Sequence, residues 1–250
     1  MYHKIDLMNK PDISIILPCY NEGYSLEENA EKIVRELKKL KRSWELIFVE
    51  DKSTDQTKAN VEKLVKKTRN SSAIFHSKNR GRGKSAADGI LKAKGKICGF
   101  LDVDLEVAPH YIPLFIHEIE NGADMVIGRR FYEGGFRSLA RYLASKTYAL
   151  VVKIFLKIPI EDTEAGYKFF TRSKILPILS KVQDKHWFWD TEICARAFWV
   201  GLEISEIPVL FIRKHEKRST VKLIPDTWDY LIKVLKFRSQ VPKLHSQQLD

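Results

Sequence analysis

Three carboxylates recur at alternate positions in Asp102-Val103-Asp104-Leu105-Glu106, directly behind the apolar run Ile97–Leu101. In an extended segment residues i and i+2 point to one side, so Asp102 and Asp104 can face a single point. Like charges brought together behind a buried strand need a cation, or one of them must keep its proton. A hard divalent ion with oxygen ligands answers that need, and Mg²⁺ completes its shell with phosphate and water. Glu106 continues the alternation and is expected as a third ligand. Two further polar clusters follow apolar runs: Pro18-Cys19-Tyr20-Asn21-Glu22 and Glu50-Asp51-Lys52-Ser53-Thr54-Asp55. Within the second, Thr54 and Asp55 stand before a helical stretch and read as its cap. A fourth constellation, Trp187-Phe188-Trp189-Asp190-Thr191-Glu192, sets acids beside three aromatics. Asp190 or Glu192 could take a proton as a general base. The same six residues also read as core plus a helix cap.

The elements that must position these clusters follow from periodicity. Ile13–Leu17, Leu46–Val49, Ala73–Phe75, Ile97–Leu101 and Met125–Ile127 read as strands. Helices are predicted over Ser25–Leu40, with Ser25 and Glu28 at capping-box spacing, near Thr54–Lys67 and near Ser85–Ala93. This alternation predicts an α/β fold with a mostly parallel, doubly wound sheet. Ligands then sit at the carboxyl ends of the strands, where the clusters converge on one crevice. No repeat or long linker divides the chain, so a single domain is expected.

Composition narrows the class. Of 250 residues, 44% are hydrophobic, enough for a sizeable core and too many for a disordered chain. Three cysteines, each in an apolar stretch, cannot form a disulfide framework, which predicts a reducing, cytoplasmic setting. No secretory leader is read in Met1–Pro11, and no apolar run reaches the ~18 residues of a membrane span. The net charge of +11 is concentrated. Segment 129–158 carries seven basic residues against Glu133, and segment 213–250 nine against four acidic ones, so the rest is balanced.

Taken in order, these motifs resemble family 2 glycosyltransferases, and within them most closely the dolichyl-phosphate mannose and glucose synthases. The likeness runs from about Ile13 to Lys222 and includes Gly128-Arg129-Arg130 and Asp162-Thr163-Glu164-Ala165-Gly166-Tyr167-Lys168. It implies a GT-A fold: a Rossmann-like nucleotide-sugar half over about 12–128, an acceptor half over about 129–222, and an amphipathic helix with tail beyond 222. It further implies that Pro18, Tyr20, Glu22, Val49, Asp51 and Val103 line the nucleotide-sugar pocket, with Asp51 on the base. Asp102 and Asp104 would hold Mg²⁺ or Mn²⁺ on the diphosphate, and Arg130 would clamp phosphate with its planar fork. Lys168 falls in the acceptor loop, and Arg141, Arg218 and Lys222 are the basic residues expected on the acceptor's phosphate. Departures are visible as well: Glu50-Asp51 stands for Asp-Asp, Tyr167-Lys168 for Phe-Arg or Phe-Lys, and Arg218-Ser219-Thr220 for the common ending of the C-terminal motif.

The implied activity is metal-dependent, inverting transfer of a sugar from a nucleoside diphosphate sugar to a polyprenyl phosphate. A lipid phosphate oxygen is already ionised and needs no base. The alternative acceptor, a sugar hydroxyl, would need Asp190 as general base. Phe136–Ile158 and Lys222–Arg238 interleave leucines and isoleucines with lysines and arginines, as helices lying in a membrane interface do. Peripheral attachment to the cytoplasmic membrane face is the expectation. Arg80-Gly81-Arg82-Gly83-Lys84-Ser85 is no nucleotide-hydrolase loop, because Asn79 stands where that loop needs glycine. A nucleic-acid binder is also disfavoured, since paired carboxylates repel phosphate.

Overall fold

The computed structural model describes residues 10–132, 147–213 and 223–239. Seven strands form one sheet: β1 (Ile13–Cys19), β2 (Trp44–Glu50), β3 (Ser71–Phe75), β4 (Ile97–Leu101), β5 (Met125–Tyr132), β6 (Tyr167–Thr171) and β7 (Ile204–Phe211). Their spatial order is β3-β2-β1-β4-β6-β5-β7. β1, β2, β3 and β4 pair in parallel, as do β5 and β7, while β6 runs antiparallel to both of its neighbours, β4 and β5. The expected sheet is therefore present, with one strand reversed. That reversal matters for the site. It brings the loop in front of β6 to the same edge as the carboxyl ends of β1, β2, β4 and β5.

Helices cover both faces. Leu26, Ala30, Ile33 and Leu37 of α1 (Leu26–Lys39) pack on one face with Val61 and Leu64 of α2 (Thr57–Lys67) and with α4 (Ile112–Glu120). The other face is covered by α3 (Arg82–Lys92), the helical residues 147–156 (α5), α6 (Arg172–Leu179), α7 (Trp189–Trp199) and α8 (Leu223–Arg238). The apolar spacing of α1 is what the sequence led one to expect, but its capping box does not form: Ser25 makes no side-chain cap bond. Entry to α1 is instead held across the sheet edge, where Thr57 Oγ1 accepts from the Glu22 amide at 2.7 Å and Asp55 Oδ2 from the Gly23 amide at 2.9 Å.

α2 begins three residues later than expected because Asp55 spends its other oxygen on the Thr57 amide and hydroxyl, at 2.9 and 2.5 Å. Burial raises the Asp55 carboxyl, and the Thr57 and Gly23 hydrogen bonds outweigh it, so its pKa lies below the ordinary value. Asp55 thus braces the first residue of α2, although the N-cap position proper is Gln56, which makes no side-chain cap bond.

Among the described residues, three of the four non-glycine residues with positive φ terminate adjacent strands: Asn21 after β1 (54°), Lys52 after β2 (61°) and Leu105 after β4 (54°). Left-handed backbone is tolerated by asparagine and strained for the other two. Strain held at three strand ends marks the edge where the chain is bent to make room. Lys52→Gly relieves one such bend. Removing the left-handed penalty exceeds the extra chain entropy of glycine, so stability rises by about 0.5 kcal/mol, read as a higher melting temperature. A lower melting temperature would mean that the Lys52 side chain contributes more than its backbone costs.

Candidate active site

The crevice at this edge is organised by one arginine. Arg82 opens α3, and its guanidinium meets Asp102 in a two-pronged pair, Nε to Oδ1 at 2.8 Å and Nη2 to Oδ2 at 3.0 Å. Its remaining arm, Nη1, donates to Oδ2 of Asp190 at the start of α7. The other oxygen of Asp190 accepts from Lys168 Nζ at 2.6 Å. Lys168 also donates to the carbonyl of Ala165 and is wholly buried in the central strand β6. The Phe100 ring lies beneath both cations, 5.3 Å from the Arg82 guanidinium and 5.4 Å from the Lys168 ammonium. Burial alone would lower the pKa of Arg82; Asp102 and Asp190 reverse that and raise it.

These bonds correct several expectations. Asp190 is 1% exposed and each of its oxygens faces a cation, so it is buried away from the crevice and poorly placed to receive a hydroxyl proton. Glu192 accepts from the Gln183 and Asp184 amides and from Arg196 Nε at 2.7 Å, a structural anchor rather than a base. Lys168 faces inward and does not reach an acceptor. Of the aromatic trio, Phe188 and Trp189 are core, and Trp187 alone is exposed, 5.3 Å above the Arg82 guanidinium.

Arg130 at the end of β5 is likewise committed. Its Nε and Nη2 pair with Asp162 at 2.7 and 2.9 Å, and its amide donates to the same carboxylate at 3.0 Å. The rings of Tyr132 and Phe211 flank the guanidinium at 5.9 and 5.6 Å. The fork expected on phosphate is therefore filled by Asp162. Burial would raise the Asp162 carboxyl, but Arg130 holds it below the ordinary range.

On the donor side, Asp51 is buried with both oxygens engaged. Oδ1 accepts from the Arg80 amide at 2.8 Å and contacts His76 Nδ1 at 2.6 Å, while Oδ2 accepts from the Gly81 amide at 2.8 Å. The opposite ring nitrogen of His76 meets Asp88 Oδ2 at 3.1 Å. Asp51 thus shapes the turn that launches α3, instead of presenting itself to a base. Gly81 serves that turn with φ of 94°, and a Cβ there would press on the Lys185 carbonyl at 2.5 Å. Val49 and Val103 are core side chains, Pro18 and Glu22 are half-buried, and Tyr20 is exposed at the rim.

The alternation assumed for Asp102, Asp104 and Glu106 stops at Leu101. Beyond it the chain turns, with Leu105 N donating to the Asp102 carbonyl at 3.2 Å and Leu105 itself left-handed. Among the described residues no three histidine, cysteine, aspartate or glutamate side chains converge as a metal cluster. The three carboxylates therefore do not share one extended face, and the Glu106 carbonyl accepts from the Ile212 amide at 2.8 Å. Asp102 keeps 38% of its side chain exposed at the crevice despite its pair with Arg82, and Asp104 lies on the same turn. Hard carboxylate oxygens from one exposed turn fit a divalent ion that draws its remaining ligands from diphosphate and water.

Arg141, Arg218 and Lys222 lie outside the described residues. Two groups that sequence reasoning missed are central. Arg82 sits in the glycine-arginine stretch Arg80–Ser85, which was given no residue in the site, and its position at a helix start was the available signal. Glu164 follows Asp162 in the loop before β6, with its carboxyl raised to about 7.

Comparison with known proteins fits this architecture. Residues 14–194 match the glycosyl transferase family 2 model. A dolichyl-phosphate beta-glucosyltransferase of Dictyostelium discoideum is 30% identical over 215 residues, covering 79% of this chain and 65% of that protein. A dolichol-phosphate mannosyltransferase of Pyrococcus furiosus is 33% identical over 169 residues, 66% of this chain and 47% of that protein. The chain thus spans less than two thirds of the length of these curated relatives. Glucosyl-3-phosphoglycerate synthase of Mycobacterium tuberculosis, solved with Mn²⁺, UDP and glucosyl-3-phosphoglycerate, superposes with a TM-score of 0.68 at 18% identity, over 91% of this chain and 80% of that one. That likeness establishes the GT-A-like fold. With the family model spanning every element from β1 into α7 and two curated relatives at 30% identity or more, the chain belongs to glycosyl transferase family 2.

Proposed function

We propose that the protein transfers a sugar, with inversion, from a nucleoside diphosphate sugar to a polyprenyl phosphate at a membrane surface. The observation that carries this reading is Asp190. Buried between Lys168 and Arg82, it is poorly placed to act as a base, and a phosphate acceptor needs none. One acceptor oxygen, already ionised, bonds to the anomeric carbon as the bond from that carbon to the donor's diphosphate breaks, and the nucleoside diphosphate leaves. The names of the relatives favour the same acceptor class.

Asp102 and Asp104 would hold Mg²⁺ or Mn²⁺, which when bound neutralises charge building on the departing diphosphate. Arg82 fixes the orientation of Asp102, and Trp187 above it offers an exposed face to the sugar. The UDP and Mn²⁺ bound to the mycobacterial synthase are consistent with such a donor site.

Membrane contact is supported by the outward faces of α5 and α8. Val152 and Leu156 are buried, whereas Leu150 and Ile154 project outward beside Lys153 and Lys157. On α8, Val234 and Phe237 are buried, while Ile232 and Leu235 are exposed near Lys236. Tyr148 and Tyr230, with rings 5.2 Å apart, hold the two helices together. Apolar side chains mixed with lysines on one exposed region suit an anionic lipid surface. No described helix is long and apolar enough to cross a membrane.

The test incubates protein with radiolabelled UDP- and GDP-sugars, Mn²⁺ or Mg²⁺ and a polyprenyl phosphate, and counts label in the organic phase. Metal-dependent label is expected, falling by about 10²-fold or more in Asp104→Asn. Donor consumption with no lipid label would overturn the phosphate acceptor.

A further inference from the structure

Arg82, Lys168 and Arg130 face four carboxylates: Asp102, Asp190, Asp162 and Glu164. Three of the four have a cation in close contact. Arg82 holds Asp102 and Asp190, Lys168 adds to Asp190, and Arg130 gives its fork to Asp162. Glu164 is left with Arg130 at 3.8 Å, outside hydrogen-bond distance, among the described residues. It is therefore the surplus negative charge of the network. Its side chain is 28% exposed, more than that of Asp162, Asp190 or Lys168, so it also faces the crevice. The loop around it is fixed: the Glu164 amide donates to Asp162 Oδ1 at 3.2 Å, and the Thr163 hydroxyl meets that of Thr191 at 2.9 Å.

We propose that Glu164 is an acceptor-binding residue that carries a proton and donates it in a hydrogen bond to the acceptor's phosphate. This rests on the phosphate-acceptor reading above. A neutral carboxylic acid is the form that a surplus carboxylate adopts among other carboxylates, and it can donate to a phosphate oxygen where an ionised one would repel it. Burial is the main cause of its raised pKa; Asp162 and Asp190 add to it, and Arg130 and Lys168 oppose it, leaving a value of about 7. The groups facing Glu164 are Arg130 from β5, Asp162 from its own loop, Lys168 from β6, Asp190 from α7, Tyr148 from α5 and Tyr230 from α8. Burial, reinforced by the charge of Glu164, raises both phenols above their ordinary range, so neither competes for the proton near neutral pH.

The consequence is a pH window. An alkyl phosphate loses its second proton near pH ~6, and Glu164 loses its own about one unit higher. For wild type, kcat/KM towards a polyprenyl phosphate is expected to rise through the first and fall about tenfold per pH unit above the second. Glu164→Gln keeps an N–H donor and the side-chain shape but does not titrate. In that variant the falling limb should vanish, leaving kcat/KM flat between about pH 7 and pH 8.5. A measurement on the unaltered protein runs beside it. The Kd for a short-chain prenyl phosphate, without donor, should weaken about fivefold between pH 7 and pH 8 in wild type and not in Glu164→Gln.

A falling limb that persists in Glu164→Gln, or a wild-type Kd flat across that range, overturns the assignment while leaving the phosphate acceptor standing. Turnover lost by several orders of magnitude in Glu164→Gln, with acceptor KM unchanged, would make Glu164 a proton acceptor and refute it differently. A wild type that transfers no sugar to polyprenyl phosphate and binds no prenyl phosphate overturns the acceptor reading, and this proposal with it.

Discussion

Replacing Arg82 with lysine should lower sugar transfer by about 10²- to 10³-fold, although charge is conserved. The reason is geometric. One guanidinium presents two parallel N–H groups to Asp102 and a third arm to Asp190. An ammonium is a point charge on a flexible stem and cannot hold two carboxylates in fixed relative orientation. Asp102 would then swing on its turn, and a displacement of about 1 Å at a reacting centre costs on the order of 10²-fold. Arg82→Ala goes further, because it strips a largely buried carboxylate of one of its cations; a loss of about 3–5 kcal/mol is expected. Thermal denaturation and transfer assays on both variants separate the two effects. Lysine should retain most of the stability and little of the activity, alanine little of either. If alanine melts within about 1 kcal/mol of wild type, the pairing drawn here contributes nothing and Asp190 must find another partner.

The legibility of this site in the sequence divides by range. The donor half was readable because its signals are local. Ile13–Cys19, Trp44–Glu50 and Ile97–Leu101 are apolar runs that a parallel sheet buries on both faces, and α1 carries its inward residues at helical spacing. β6 and β7 were not foreseen, and neither was α4. β6 holds a lysine amid aromatics, Tyr167-Lys168-Phe169-Phe170, and lysine in a short strand reads as solvent-facing. Only its central place between β4 and β5 buries both of its faces.

The carboxylates at the strand ends were found, yet their partners were not. Arg82 lies 20 residues from Asp102 and 108 from Asp190 in sequence, beyond any periodic pattern. The alternation read from Asp102 through Glu106 fails for a local cause instead. Extended alternation was carried past Leu101 into a turn, and a left-handed leucine is not a residue from which a turn would be inferred. Arg130 was placed at the correct edge but given to phosphate, because the carboxylate that occupies its fork comes from a loop 32 residues away. In each case residue type and neighbourhood were legible, and the pairing that decides the role was set by tertiary structure.

The last of these pairings can be tested by a thermodynamic cycle. Lys168→Met removes the ammonium with little change in volume, leaving Asp190 buried with Arg82 alone; about 3 kcal/mol of stability should be lost. Asp190→Asn is expected to be comparably damaging, since Lys168 and Arg82 then face each other across a neutral amide. The double variant removes both members of the pair and leaves Arg82 with Asp102. Its loss should fall short of the sum of the single losses by about 2 kcal/mol, as expected for partners in direct contact. Activity follows a different rule under each role for Asp190. If the carboxylate only holds Lys168 and Arg82 in place, the double variant should transfer sugar better than Asp190→Asn alone, because the uncompensated cation has gone. If Asp190 were the proton acceptor, removing Lys168 as well could restore no turnover. Additive stabilities would show that Lys168 and Asp190 do not interact, and the argument for a phosphate acceptor would lose its main support.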